Sequence, residues 1–350
     1  MIETRITKTL GIKHPILLAG MNYVTTPKLV AAVSNAGGLG ILAGAAYTRD
    51  QFRECIREIR SLTDKPFGVN ITLFLPGARD LVEVVLDEKP PVVNYALGRA
   101  VDMINAVHAY GGKIIASVAI AKHAMRAEKD GADILTVTGC EAAAHGASVG
   151  SMVLIPTIAR RVSIPIVGAG GFCDGHGLVA ALALGAEGVS MGTRFALSTE
   201  SPLHDYYKQL SIESTEEDTF ITDRWDGLPA RLLNTEAAQQ LARRRLPGIE
   251  SATSMLRIKR ELGLSWYELV AGTLRMKQVE QLSLGKMVVI PVGFSMLKRA
   301  VFDGARDGVM LTGQNTGMMS TLHSCQEIVD QTIGEAETIL KNLQSVTRGG

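Results

Sequence analysis

Short apolar runs that end in glycine or a small polar residue, each followed by an amphipathic stretch, recur roughly every 25 residues over the first 212 positions. A chain of this kind can align its strands only in parallel, because each helix must cross back over the sheet before the next strand begins. The strands read as Pro15 to Ala19, Gly40 to Ala43, Pro66 to Ile71, Val92 to Ala96, Ile114 to Val118, Ala132 to Val137, Ile164 to Gly168 and Gly188 to Met191. Helices follow from Thr26-Pro27 to Gly37, from Asp50 to Leu62, from Val101 to Tyr110, from Lys122 to Lys129, from Leu154 to Arg161 and after Asp174. Eight such units favour closure into an α/β (β/α)8 TIM barrel, with an open doubly wound sheet as the alternative.

Within that rhythm the stretch from Ile164 to Leu197 stands out, since two successive strands end in glycines, at Gly170-Gly171 and Gly192-Thr193. One such end is adequately explained as a tight strand-to-helix turn. Two at the same sheet edge offer backbone N–H groups to an anion unobstructed by Cβ, where barrels of this type hold phosphate. A dinucleotide fingerprint fails here, because its third glycine would fall at Cys173.

Composition narrows the class of ligand. With 36 basic against 35 acidic residues the formal charge is +1, which gives no general attraction to nucleic acid or an anionic membrane and favours a small-molecule substrate. Four scattered cysteines, Cys55, Cys140, Cys173 and Cys325, form neither a zinc pattern nor a disulfide framework, and no metal site is expected. The N-terminus has no apolar leader and the apolar run near Met287 to Leu297 is too short to span a bilayer, so a soluble, cytoplasmic protein is expected. Beyond Leu210 the βα rhythm stops. The chain divides into a barrel over 1–212, a mainly helical substrate-side extension over 213–310, and a segment over 311–350 whose helix, Gln326 to Leu343, packs back on the barrel. Glu236 to Arg245 and Tyr267 to Leu284 read as helices of that extension; a turn-rich stretch, Thr222 to Pro229, carries a lone Trp225, and Arg243-Arg244-Arg245 reads as a solvated helix end.

Catalytic residues in a barrel sit at strand C-termini, which selects Gly20-Met21, Asn70, Ser117, the loop Thr138 to His145, Gly170-Gly171 and Gly192-Thr193. His145 alone is an acid–base group that titrates near neutral pH at such a position. The other histidines, His14, His108, His123, His176, His204 and His323, precede strands or fall on predicted helices and read as surface or structural. Neither a nucleophile elbow nor a lysine at a strand end for pyridoxal phosphate is present, so a phosphorylated cofactor without a covalent anchor, FMN, fits best.

Taken together, Pro15 to Met21, Ala32 to Gly40, Pro66 to Asn70, Glu141 to Gly146, Gly170-Gly171-Phe172, Met191 to Phe195 and the tail from Gly313-Gln314 to Ser324-Cys325 resemble the nitronate monooxygenase (2-nitropropane dioxygenase) family of FMN barrels. That family also includes quinone reductases and FabK-type enoyl-acyl-carrier-protein reductases. The resemblance implies that Gly20, Met21 and Asn70 contact the flavin, that Gly170, Gly171, Gly192 and Thr193 hold its phosphate, and that His145 is catalytic. Two positions depart from the family pattern: Ala144 stands where relatives have glycine, and Ser117 aligns with a lysine that some relatives place near the flavin. The function implied first is oxidation of alkyl nitronates with O2. The alternative is an NAD(P)H-dependent reductase of an enoyl thioester or a quinone; a flavin-binding protein without catalysis is the non-enzyme reading. Substrate, electron donor and oligomeric state are not fixed by these residues.

Overall fold

The computed structural model describes residues 2–143, 148–243, 256, 260 and 290–348. Eight parallel strands follow one another around a single sheet: β1 (Ile16–Leu18), β2 (Gly40–Ala43), β3 (Phe67–Thr72), β4 (Val92–Ala96), β5 (Lys113–Val118), β6 (Ile134–Thr138), β7 (Ile166–Ala169) and β8 (Gly188–Met191). β8 pairs with β1 through Val189↔Ile16, Ser190↔Leu17 and Met191↔Leu18. The last seam, β1 to β2, is closed by Leu18 N–H donating to Leu39 O at 2.9 Å and Leu39 N–H to Ile16 O at 3.0 Å. The sheet is therefore a closed (β/α)8 barrel, and the open-sheet alternative is excluded.

The helices between the strands are α2 (Pro27–Asn35), α3 (Arg49–Leu62), α4 (Ala78–Glu88), α5 (Val101–Ala109), α6 (Ala121–Asp130), α7 (Ser151–Ala159) and α8 (Gly175–Ala183), all counted after an N-terminal α1 (Arg5–Leu10). Their starts follow from local chemistry. Thr26 Oγ1 caps α2 ahead of Pro27, Thr48 and Gln51 form a capping box on α3, and Asp174 accepts from Gly177 N–H at the head of α8. Two helices are absent from the sequence-based reading. α4 is preceded by Gly77 at φ +80° with no side-chain cap, so it carries no start signal; α1 is a short turn capped by Thr4 and Thr7.

That short helix has a large role. Ile6, Leu10 and Ile12 form one buried cluster with Leu17, Leu39, Ile41, Val92, Ile115, Ile134 and Val167, the inward-facing residues of six strands, so α1 plugs the N-terminal mouth of the barrel. Alternation then dictates what lies above, because residues two positions further along each strand face inward again. Those are Asn94, Ser117, Thr136 and Ala169, joined by Asn70 and Ser190: the barrel interior is apolar below and polar at its C-terminal end.

After β8 come α9 (Thr193–Ala196), α10 (Asp205–Glu213), an antiparallel pair β9 (Thr219–Thr222) and β10 (Ala230–Leu233), α11 (Glu236–Arg243), α12 (Ile290–Lys298) and α13 (Cys325–Arg348). The turn-rich stretch around Trp225 is thus the connection of a hairpin, an element the sequence reading lacks because each strand is only four residues long. α13 packs against α8 and α2, which is the return onto the barrel expected of the last amphipathic helix. The expected helix from Tyr267 to Leu284, Arg244 and Arg245, and His145 with Ala144 lie outside the described residues.

Ser34 ties three elements together: on the buried face of α2 its hydroxyl donates to Pro66 O at 2.9 Å, before β3, and accepts from Gly40 N–H at 3.1 Å, in β2. Ser34→Ala leaves both backbone groups buried and unpaired, and should lower unfolding free energy by about 1–3 kcal/mol, read as a shift in denaturant midpoint without a change of slope.

Candidate active site

The sequence-predicted residues Gly20, Met21, Asn70, Ser117, Gly170, Gly171, Gly192 and Thr193 line one cavity of about 740 Å³ over the C-terminal end of the barrel; of the end of β6 and the loop after it, Thr138, Ala142 and Ala143 line it and Gly139, Cys140 and Glu141 do not. Its floor is a hydrogen-bonded row. Asn70 Nδ2 donates to Asn94 Oδ1; Asn94 Nδ2 donates to Ile115 O at 3.2 Å and to Ser117 Oγ at 3.1 Å. Asn94, 5% exposed, is thereby saturated by protein, and its partners are left with defined polarity. Asn70 keeps its carbonyl oxygen as an acceptor, whereas the Ser117 hydroxyl also donates back to Asn94 Oδ1 at 3.4 Å. Sequence reasoning missed Asn94, although an asparagine two residues beyond the inward-facing Val92 of an apolar strand was the available signal.

The glycine edge has room built into it. Gly170 and Gly171 sit at φ +100° and +84°, a conformation that excludes most side chains. At Gly192 the constraint is different: a Cβ there would meet nothing nearer than Met21 Sδ at 3.6 Å, so the space above that backbone belongs to the cavity. Gly20 is a packing glycine, whose Cβ would come within 2.9 Å of Asn70 Cβ. Thr193 accepts from Gly313 N–H at 2.8 Å, which leaves its hydroxyl hydrogen to donate elsewhere.

Three strand-end loops are held by the tail that follows α12. Gly313 N–H binds the loop after β8 through Thr193, Gln314 N–H donates to Glu141 O at 2.8 Å in the loop after β6, and Asn315 Nδ2 donates to Phe172 O at 3.2 Å after β7. The β6 loop has two further anchors. Glu141 accepts from Ser151 N–H and Oγ, at 2.9 Å each for the nearest oxygens, with its carboxylate at the head of α7. Arg231, on β10, donates to Cys140 O from Nε at 3.2 Å and Nη2 at 2.9 Å, and to Thr219 Oγ1 from Nη1 at 2.9 Å. Burial lowers the Arg231 pKa, while Cys140 and Glu141 oppose that shift. These contacts anchor Cys140 and Glu141; His145 is beyond the described residues.

The roof comes from the extension. Trp225 stacks on Phe294 of α12 with ring centroids 5.2 Å apart and planes at 25°, and both line the cavity with Ile290, Leu297 and Met310. On another side the wall is one face of α6: His123, Arg126, Ala127 and Asp130. His123 is thus a cavity residue, contrary to the surface or structural role its helical position suggested. The remaining described histidines stay away from the cavity: His14 is buried, His108 pairs with Asp133, His204 caps α10, and His323 contacts Thr321. His176 lies with Asp174 and Glu335 in a compact group outside the barrel, but Asp174 and Glu335 are engaged by the N–H groups of Gly177 and Gly175. Burial pushes the Cys173 thiol up to about 11, so it is no nucleophile at neutral pH.

Arg231→Met removes three charge-assisted donors and leaves the Cys140 carbonyl unpaired. We expect a loss of about 2–3 kcal/mol in stability and faster amide exchange confined first to residues near 139–141, measured by hydrogen-exchange mass spectrometry. Uniform exchange would separate Arg231 from the loop.

The sequence model of the family described as nitronate monooxygenase matches residues 3–81 and 74–335. A "(3aS,4S,5R,7aS)-5-hydroxy-7a-methyl-1-oxo-octahydro-1H-indene-4-carboxyl-CoA dehydrogenase" of Rhodococcus jostii (strain RHA1) is 36% identical over 96% of this chain and 96% of its own. A nitronate monooxygenase of Pseudomonas aeruginosa is 34% identical over 65% of this chain and 78% of its own. Among solved structures, FabK from Thermotoga maritima is 35% identical and superposes with a TM-score of 0.84, covering 99% of this chain and 100% of that one.

Proposed function

The chain belongs to the nitronate monooxygenase family, a family of flavin-dependent oxidoreductases, and on that premise we propose that it is an FMN enzyme acting on an acyl thioester. The observation that carries this reading is the extension. The hairpin and α12 roof the cavity through Trp225 and Phe294, and a carboxyl-CoA dehydrogenase and FabK are 35–36% identical to this chain over nearly its full length, extension included. Similarity to the nitronate monooxygenase of Pseudomonas aeruginosa covers about two thirds of this chain. Nitronate oxidation with O2 is the second reading, favoured by the family match itself.

The residues present suit FMN. Backbone N–H groups at Gly170, Gly171 and Gly192 would meet its phosphate, with the Thr193 hydroxyl as a further donor. Asn70 would offer the ring its carbonyl oxygen as an acceptor, and both Asn70 and Ser117 are fixed by Asn94. When bound, FMN supplies the two-electron carrier between donor and substrate. His145 would hold or deliver the proton at the substrate carbon, or position a nitronate anion. The Trp225–Phe294 roof excludes water from the substrate side.

Two variants and one donor test examine this reading. Gly192→Asp puts a carboxylate in open space, 3.6 Å or more from protein atoms at its Cβ, so the barrel should fold while FMN affinity drops at least about tenfold. Mass analysis of released cofactor and its stoichiometry reads this; full FMN content would move the phosphate off β8. His145→Ala should keep its flavin yet lose about 10²–10⁴ in kcat on a substrate that requires proton transfer. Anaerobic mixing separates the substrates: bleaching of the flavin by NAD(P)H or a saturated acyl thioester supports the thioester reading, and bleaching by nitronate alone replaces it with the second.

A further inference from the structure

The cavity is longer than the glycine edge and the Asn70–Asn94–Ser117 floor require. Besides the floor and the glycine edge, the cavity is lined by Tyr95, Leu97 and Val118 and, on α6 and in the connection after β4, by Arg99, Arg126 and Asp130, and this part of it is the α6 arm. Arg99, in the connection after β4, gives Asp130 two hydrogen bonds, from Nε at 3.0 Å and Nη2 at 3.2 Å. Arg126 reaches the same carboxylate from Nε alone, at 3.0 and 3.1 Å. Asp130 is shielded by this arrangement, with 7% of its side chain exposed, whereas Arg99 and Arg126 stay 63% and 51% exposed. Of the five N–H donors on each guanidinium, Asp130 takes two from Arg99 and one from Arg126; the others have no partner among the described residues. Where Arg99 and Arg126 line the cavity the balance is two cations to one anion, since Asp102, the other carboxylate acting on Arg99, is exposed on α5 and does not line the cavity, and Asp226, the second carboxylate of the lining, stands beside Trp225 of the roof.

An ordinary solvated ion triad would sit on the outer face of a helix. This one closes an apolar-walled arm that opens into the site, so its unused donors point the arm toward a ligand with a slender uncharged stem and an anionic end. We propose that this arm seats the phosphate-bearing end of a coenzyme A thioester, with Arg99 and Arg126 as the anion donors and Asp130 as the residue that fixes their planes. The assignment rests on the thioester reading for its substrate, but the phosphates are recognised by the arginines alone. Asp130 is held ionised, its pKa lowered first by the hydrogen bond from Arg99, so it stays acceptor-only and both guanidiniums keep the orientation seen here. Coenzyme A suits the arm better than a carrier protein does: its pantetheine stem and phosphates lie on one small molecule, whereas a carrier needs a protein-sized contact outside the cavity.

The test uses the flavin-loaded enzyme and desulfo-coenzyme A, which binds without reacting. Wild type should bind it, and affinity should fall steeply between low and high salt, as exposed guanidinium–phosphate contacts demand. Arg99→Gln with Arg126→Gln should weaken binding by about tenfold or more and flatten that salt dependence. Arg126→Lys, which keeps a charge next to Asp130, should lose less, and full flavin content in both variants shows that the fold is intact. Turnover of a short N-acetylcysteamine thioester, which has no phosphate, should be unchanged in the double variant. The proposal is overturned if wild type does not bind desulfo-coenzyme A, if the double variant binds it equally well, or if the variant raises KM only for NADPH. It is also overturned if holo-acyl-carrier protein binds where desulfo-coenzyme A does not. Should the arginines govern desulfo-coenzyme A binding while nitronate alone bleaches the flavin, the anion seat stands and the thioester chemistry falls.

Discussion

Closing eight parallel strands into a ring leaves an interior that only side chains can fill, and period-two alternation decides which ones. In this chain the lower positions are aliphatic and are sealed from below by Ile6 and Leu10 of α1 and by Ile12 just after it. The same registers, advanced by two residues, bring Asn94, Ser117 and Thr136 to the upper end, where Asn70 and Ser190 join them. A buried amide is tolerable only when its donors and acceptors are met, and the chain meets them by linking one strand to the next, Asn70 to Asn94 to Ser117. The polar floor is therefore a product of barrel closure. Each member is positioned by a strand whose own register is fixed by its neighbours.

Above that floor the structure has a second requirement, which is to hold loops in place where backbone has to stay accessible to a ligand. Glycine-rich strand ends are loose by nature, since glycine loses the most conformational freedom on folding. The tail from Gly313 to Asn315 offsets this with one contact to each of the loops after β6, β7 and β8. Arg231 and Glu141 add anchors to the β6 loop. Two of the three tail contacts use backbone N–H groups, so they depend on the path of the tail more than on its side chains. That path is fixed in turn by Thr316, whose hydroxyl donates to Ser211 O at 3.1 Å, and by α13, packed on α8.

How much of this was legible in the sequence depended on whether the signal was local. β2, β4 and β8 were readable to the residue, because apolar runs bounded by glycine or proline leave little choice of register. The glycine edge was readable for the same reason. α4 was not, since Gly77 at its head gives no capping signal, and the hairpin β9–β10 was not, since its identity lies in pairing across the Trp225 turn. His123 illustrates the limit on site prediction. A helix following β5 normally faces away from the ligand, and only the arm of the cavity along α6 brings that side chain to its wall.

On the roles proposed above, the site would deal with negative charge in two physically different ways. At the glycine edge the donors would be backbone N–H groups at strand ends inside the barrel mouth, where screening by salt is weaker than at the surface. In the arm along α6 the donors are guanidiniums half open to solvent, where each contact is strongly screened and individually modest. A group bound at the first place is held tightly and exchanges slowly, as a resident cofactor must. A group bound at the second is held by a force that ionic strength can release, as a substrate that has to leave after each turnover requires. The near-neutral formal charge of the chain, +1, fits this division: attraction is supplied by a few placed donors at each end of one cavity rather than by a general field.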